Sequence, residues 1–453
     1  MKQQPTLPEI LSEPIAIIGA GVTGKSVAKF LDDRGANYQL FDEKAGEGVA
    51  NELGSQRFSW AVVSPGWRKG HPLIAELLSR GTLLISEIDF AWVIKSEVNP
   101  TQRWIALTGT NGKTTTVQMV ESIFRAANLA GRACGNVGNS VVQTLGEDPS
   151  LEVLALELSS FQIDWSEFPT FAAVAILNIA EDHIDWHGGF DGYANAKLKL
   201  LQQTDTAVLN ALDPEIVNRS AGWNGRRVLF SLDTPRPGEI GLVENLLVDR
   251  AFVASPEAAE SFAELVDIKP SVPHNVLNAM AAAGLSLAIG ISHEAVNEGV
   301  RNFVLDHHRL ELIAERDGIR WINDSKATNP HAAKAALSSV EKCIWIAGGL
   351  AKGAAMDEIV QSMKKRIRAV ILIGTDRELI ATALDTYAPE IPYFRVDGDS
   401  AEALMEQVVE RAGGLAQSGD AVLLAPACAS MDQFTSYAHR GEAFRFAVER
   451  FLA

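Results

Sequence analysis

Trp104-Ile-Ala-Leu-Thr-Gly-Thr-Asn-Gly-Lys-Thr-Thr-Thr116 is the stretch that leaves this chain the fewest options. An apolar run of strand length passes into Gly109-Thr-Asn-Gly-Lys113-Thr114, and Val117, Val120, Phe124 and Ala127 then recur at helical spacing until Gly131. Glycines let backbone N–H groups close around phosphate oxygens, and the start of a helix adds a favourable dipole. Lys113 is placed to reach the β- and γ-phosphates, and the Thr114 hydroxyl to hold Mg²⁺. The candidate triphosphate contacts are thus Gly109, Thr110, Asn111, Gly112, Lys113, Thr114 and Thr115. Leu107 stands where the usual spacing of a phosphate-binding loop puts its first glycine. The bland alternative is a glycine turn before an ordinary helix, with Lys113 merely solvated. Three consecutive threonines count against it, because one capping residue would suffice.

A chain of 453 residues has room for two to four domains. With 47% hydrophobic and 21% charged residues it reads as soluble and globular. A net charge of −17 argues against broad binding to nucleic acid or an anionic membrane, so the cations that hold a nucleotide must be local. Cys134, Cys343 and Cys428 are far apart and form no C-x-x-C pair, which suits a reducing cytoplasm and offers no thiolate zinc site. The opening Met-Lys-Gln-Gln-Pro leads into no apolar signal region, and the Ala-rich run 276–291 is short for a membrane span. The expectation is a cytoplasmic protein, monomeric, that neither binds nucleic acid nor inserts in a membrane.

Three blocks alternate strand-like and helix-like segments. The first holds strands at 14–19, 38–41, 60–63 and 82–85 and closes at a polar stretch, 96–102, that reads as a linker. The second runs from the phosphate-loop strand through strands at 153–158, 172–177 and 207–210 to the Ala-rich helix. The third carries strands at 319–323, 343–347, 369–373 and 421–424 with helices from 330 and over 401–411. The predicted fold is α/β with three domains, each a mostly parallel sheet with helices: a Rossmann-like domain over 1–99, a P-loop domain over 100–305 and a second Rossmann-like domain over 306–453.

Several constellations carry chemistry. Gly19-x-Gly21-x-x-Gly24 with Asp42 after the next strand fits a dinucleotide fingerprint, yet serves any phosphate-bearing ligand at the top of a parallel sheet. Glu157 ends an apolar strand beside the phosphate loop, as an acid that binds Mg²⁺ directly or through water would. His183 and His187 sit four apart among acids, without the helical apolar pattern a zinc pair needs; His183 assisting Mg²⁺ is preferred, and His187 reads as part of a polar turn. In the third block, Asp324-Ser-Lys326-Ala-Thr328, Lys352 and Ser430 each follow a strand, at the edge where open α/β sheets bind ligands.

Gly109-Thr-Asn-Gly-Lys-Thr114, Glu157-Leu-Ser-Ser-Phe-Gln162, Glu181-Asp-His183, His274-Asn275, His308-Arg309, Asp324-Ser-Lys-Ala-Thr-Asn329 and Pro426-Ala-Cys-Ala-Ser-Met-Asp-Gln-Phe434 together resemble the Mur ligases, ATP-dependent amide-forming enzymes of bacterial cell-wall precursor synthesis. The likeness spans all three blocks and is greatest to the branch that adds D-glutamate; the Asp-Asn-Pro-Arg signature of the diaminopimelate-adding branch is absent. The resemblance implies that the first block holds the UDP of a sugar nucleotide through Val22, Thr23, Asp42, Ser64 and Gly66, with Asn136 and Ser159 also near that substrate. It implies ATP and two Mg²⁺ ions held by the phosphate loop, Thr114, Glu157 and His183, with Asn278, Arg309 and Asp324 on the nucleotide. Lys197 matches the lysine that the family carbamylates, and would then be a metal-directed group. Lys326, Thr328, Lys352, Ser430 and Tyr437 would surround D-glutamate, with Lys113, His183, Lys197 and Lys326 as the catalytic set. Glu43-Lys44 stands where the family usually has a Thr-Arg-like pair, Leu350-Ala351 where Asp-Gly is common, and Tyr437 where Phe is common. Another amino acid as acceptor, an NAD-dependent oxidoreductase and an ATP-gated binding protein are the competing readings.

Overall fold

Ile15–Ile18, Tyr38–Phe41, Trp60–Val63 and Leu83–Ser86 pair in parallel, with the first strand between the second and third, in a computed structural model that describes residues 4–42, 53 and 56–453. Glu43 and Lys44 lie outside the described residues. The first strand is wholly buried, which a run of Ile-Ala-Ile-Ile covered on both faces requires. Contacts divide the chain into two compact units, Met1–Ile179 with Ile184–Phe303, and Ala180–His183 with Val304–Ala453.

The first unit also contains a nine-stranded sheet. Its parallel part runs, in spatial order, Arg226–Phe230, Thr206–Asn210, Ala173–Ile176, Arg103–Thr108, Val153–Glu157, Gly131–Gly135. The phosphate-loop strand therefore lies centrally, flanked by the strands that end at Glu157 and Ile176. Beyond Arg226–Phe230 comes Glu239–Val243, in parallel, and then Leu246–Asp249 and Glu260–Glu264 as antiparallel additions. The two sheets of this unit share one apolar core, in which Ile15, Phe30 and Phe90 belong to the same cluster as Trp104, Leu156 and Leu209.

Buried carboxylates join the two sheets as well. Helix Glu87–Val98 opens with a capping box between Ser86 and Asp89. Asp89 also accepts the backbone N–H groups of Glu167 and Phe168 at 2.8 and 2.9 Å, and Glu87 accepts that of Val142 at 2.8 Å. Burial pushes the Glu87 carboxyl up to about 7, against the lowering pull of hydrogen bonds from Val142, Val141 and Ser140. The polar stretch 96–102 is not a free linker: Ser96, Glu97 and Val98 form the exposed last turn of this helix, and Gln102 is buried and donates to the Leu151 carbonyl. Pro100 disfavours helical backbone at Asn99, which stops the helix there.

The second unit is a six-stranded sheet ordered Glu311–Arg316, Ile319–Asn323, Ala421–Leu424, Cys343–Gly348, Ile367–Ile373, Tyr393–Arg395, parallel except for the first hairpin. That hairpin turns at Asp317-Gly318, both at positive φ, as a two-residue turn between twisted strands needs. Among the described residues no helix is long and apolar enough to cross a membrane.

Candidate functional site

The phosphate loop leaves the buried strand Arg103–Thr108 and enters helix Lys113–Ala126. Leu107 is still inside that strand, paired with Glu157 and Ala175 and 1% exposed, so no glycine is needed at its position. The turn itself is short, and Gly112 takes φ +82° as the helix N-cap. A Cβ there would lie 2.4 Å from Asn278 Oδ1, which reaches the loop from the Ala-rich helix Pro273–Ala288. Asn178, just past strand Ala173–Ile176, holds the loop from the other side: its Oδ1 accepts the Asn111 N–H at 2.8 Å and its Nδ2 donates to the Asn111 carbonyl at 3.1 Å. No sequence motif gives Asn178 a role; its place just past the strand next to the loop strand was the available signal.

Lys113 folds back over the loop, donating to the carbonyls of Gly109 and Thr110 at 2.9 Å each. Thr114 is half-buried in the first turn, while Thr115 and Thr116 face inward. The Thr110 hydroxyl meets Tyr193 Oη at 2.9 Å. One turn beyond Tyr193, Lys197 is 1% exposed; its Nζ lies 2.9 Å from the Gly109 carbonyl, 3.4 Å from Thr108 Oγ1 and 4.6 Å from the centre of the Tyr193 ring. A buried lysine thus touches the same loop carbonyl as Lys113.

Glu157 is 2% exposed at the end of its strand. Its Oε1 accepts from Asn136 Nδ2 at 2.9 Å, whereas Oε2 is buried without a hydrogen-bond partner. An orphaned carboxylate oxygen is costly unless a cation completes it. It lies on the strand beside the loop strand, and hard oxygen donors such as Glu157 and Thr114 suit Mg²⁺, which takes few protein groups and completes its shell with water and phosphate. Among the described residues no three His, Cys, Asp or Glu side chains gather as a metal cluster. His183 has positive φ (+52°) and pairs with Asp182 at 3.7 Å. His187 is not in a loose polar turn: it ends helix Ile184–His187, bonds Ser160 Oγ at 2.9 Å and stacks on Phe161.

A cavity of about 920 Å³ opens at the carboxyl edge of the four-stranded sheet. Gly19, Gly21, Asp42, Ser64 and Gly66 line it, together with Arg68 and Trp186. A Cβ at Gly24 would come within 1.8 Å of the Gly19 carbonyl, which explains the third glycine of the fingerprint. Val22 and Thr23 start the adjoining helix, Val22 being 70% exposed. Asn136 and Ser159 are outside this lining; Asn136 serves Glu157, and the Ser159 side chain caps helix Ser160–Trp165.

In the second unit three adjacent strands deliver their loops to one edge. Asp324, Lys326 and Thr328 follow Ile319–Asn323, Ser430 follows Ala421–Leu424, and Lys352 follows Cys343–Gly348. Leu350 and Ala429 exchange two backbone hydrogen bonds at 2.9 Å, which ties the Lys352 loop to the Ser430 loop. Lys326 Nζ lies 3.7 Å above the Tyr437 ring, an aromatic face that Phe would also provide. The Asp324 carboxylate accepts the Leu310 N–H at 3.2 Å; desolvation pushes it up to about 7, opposed by that bond and by Arg309. Arg440, fully buried, donates to Ser325 Oγ, the Ser325 carbonyl and the Cys428 carbonyl, and so clamps two of the loops at this edge together. No motif pointed to it, because an arginine on a helix carries no signal of burial.

Residues 107–286 match the Mur ligase middle domain and residues 308–428 the Mur ligase, glutamate ligase domain. Likeness to solved structures extends over the fold: TM-score 0.64 to a pseudomurein peptide ligase type C from Methanothermus fervidus, 16% identical, covering 97% of this chain and 100% of that one. It is 0.57 to MurF ligase from Thermotoga maritima in complex with ADP, 14% identical, covering 88% and 96%. The chain belongs to the Mur ligase family. Within that family it is 43% identical to a UDP-N-acetylmuramoylalanine–D-glutamate ligase of Thermobifida fusca, across 96% of this chain and 98% of the relative. It is 42% identical to the ligase of the same name from Streptomyces coelicolor, across 97% and 98%.

Proposed function

We infer that this chain joins D-glutamate to UDP-N-acetylmuramoyl-L-alanine with consumption of ATP, a step in the synthesis of peptidoglycan precursors. The observation that carries this reading is the near-full-length identity of 43% to a ligase of that name. Amide formation from a carboxylate needs an activated acyl group. Transfer of the γ-phosphoryl group to the alanyl carboxylate gives an acyl phosphate and ADP. The D-glutamate amine then attacks the acyl carbon, and the tetrahedral intermediate expels phosphate as the nitrogen loses its proton.

In this reading the chain works as three functional domains, 1–99 for the sugar nucleotide, 100–305 for ATP and 306–453 for the amino acid. Val22, Thr23, Asp42, Ser64 and Gly66 hold the UDP group, with Asn136 and Ser159 nearer the central domain. Residues Gly109 to Thr115 cradle the triphosphate, and Asn278, Arg309 and Asp324 complete the nucleotide contacts. Thr114 and Glu157 hold one Mg²⁺ ion and His183 the second; bound Mg²⁺ would neutralise charge on the phosphoryl oxygens. Lys113 and Lys326 stabilise charge that develops on the phosphoryl and acyl oxygens. Lys326, Thr328, Lys352, Ser430 and Tyr437 orient D-glutamate, and orientation is a large part of the rate. We also propose that the Lys197 ammonium gives up one proton and that its free amine then adds CO₂ with loss of a second, which turns a cation into a carbamate anion suited to a metal site. A carbamate resonance after growth on ¹³C-bicarbonate, absent from Lys197→Ala, tests this; an unmodified amine in the Mg²⁺-loaded enzyme overturns it.

The activity is tested by phosphate release from ATP with each substrate omitted in turn. Release that needs both UDP-N-acetylmuramoyl-L-alanine and D-glutamate is expected. Turnover with a different amino acid would redirect the assignment within the family, and release without any acceptor would defeat it.

A further inference from the structure

We propose that Arg68 is the cation that takes the diphosphate of the sugar nucleotide, and that it leaves its contact with Asp185 to do so; this depends on the reading of the cavity as the UDP site. A protein of net charge −17 repels a nucleoside diphosphate at long range, so the cavity needs a cation of its own. Among the described residues, two lining side chains carry a fixed positive charge, Arg68 and Lys69. Lys69 is already committed: its Nζ lies 2.9 Å from Asp164 Oδ2, 2.8 Å from the Asp164 carbonyl and 5.4 Å from the Trp165 ring. The two lining imidazoles have structural partners. His71 Nδ1 accepts the Leu73 N–H and caps its helix, and His187 bonds Ser160.

Arg68 differs. Its Nη2 is 3.4 Å from the Asp185 carbonyl and 3.6 Å from Asp185 Oδ2, and the two side chains are 58% and 83% exposed. An exposed ion pair this loose contributes little and is easily exchanged. The backbone that carries Arg68 is held firmly on both sides. Trp186 Nε1 donates to the Gly66 carbonyl at 3.4 Å, Trp165 Nε1 to the Trp67 carbonyl at 2.9 Å, and Lys69 is anchored as described. The side chain can therefore swing while its Cα stays in place. The same cavity presents the Gly19–Gly21 turn, where the eleven-residue helix Val22–Asp32 begins. Helix N–H groups supply neutral donors to a phosphate, and the planar guanidinium adds charge with two parallel hydrogen bonds.

The test is calorimetric titration of the full chain with UDP and with uridine, without ATP or Mg²⁺, so that the His183 region plays no part. Arg68→Gln is expected to weaken UDP binding about tenfold and to leave uridine unchanged, with Arg68→Lys in between. Asp185→Asn is expected to tighten UDP binding about threefold, because it removes the competitor for the guanidinium. A structural latch would make the opposite prediction, with Asp185→Asn and Arg68→Gln weakening UDP alike; that result overturns the proposal. Equal losses for UDP and uridine, or no loss in Arg68→Gln, overturn it too, while the UDP reading survives. Wild-type protein that binds neither UDP nor the sugar nucleotide overturns both.

Discussion

Glu157 keeps one carboxylate oxygen buried with no hydrogen-bond partner. In metal-free buffer that oxygen is a liability, and Glu157→Gln should raise the urea midpoint, by about 1 kcal/mol in stability. In turnover the same variant should lose about a hundredfold and need more Mg²⁺ for half-maximal rate. A variant that is both less stable without metal and unchanged in its Mg²⁺ requirement would remove Glu157 from the metal site. Gly112→Ala places a Cβ against Asn278 Oδ1 at a left-handed position, so ATP binding measured by fluorescence titration should fall together with stability, the latter by about 1–3 kcal/mol. Lys113→Ala should abolish substrate-dependent phosphate release, since Lys197, the lysine on the same loop carbonyl, cannot replace its charge on the phosphates once it is a carbamate. Residues of this kind were legible because their chemistry is written in a local pattern. Asn178 and Arg440 were not: each acts by joining segments distant in sequence, which only folding reveals.

At the scale of elements, the junction made by helix Glu87–Val98 has a titration built into it. The Glu87 carboxyl is raised to about 7, above its ordinary value of 4.5. The folded state therefore holds a proton that the unfolded chain gives up, and its contribution to stability is present below pH 4.5 and lost as pH rises towards 7. Glu87→Gln should flatten the decline of the urea midpoint between about pH 4.5 and 7 relative to wild type, although Asp89 and Asp324, raised for the same reason, leave part of the slope. An unchanged slope would mean that the carboxyl stays ionised in the folded protein. Elements were well announced where apolar runs were long: strands Ile319–Asn323 and Ala421–Leu424 fall where hydrophobicity placed them. Antiparallel strands were not foreseen. Glu260–Glu264 has polar residues at three of its five positions, as half-exposed edge strands do, and only Asp317-Gly318 marked a hairpin.

Over the whole molecule, apolar continuity decides what can fold alone. One face of the four-stranded sheet shares a core with the nine-stranded sheet and only the other has a cluster nearly its own, around Phe41 and Ile74, whereas the second unit's clusters, around Trp345 and around Phe444, are wholly its own. A fragment over 304–453 should show a cooperative urea transition by itself, while one over 1–99 should stay largely unfolded, with Ile15, Phe30 and Phe90 deprived of their central partners. Circular dichroism of the two fragments checks this, and a stable 1–99 fragment would contradict it.

The shared core has a thermodynamic corollary. Two ligands that bind different sheets of one cooperative block draw on a single unfolding equilibrium. UDP at the glycine turn and a nucleotide at the phosphate loop should each raise the same melting transition, and together raise it further. A transition belonging to 304–453 should ignore UDP but shift with the nucleotide, for which Arg309 and Asp324 are the proposed contacts. A thermogram would thus reveal which substrates are read by a common piece of the protein and which by its neighbour as well.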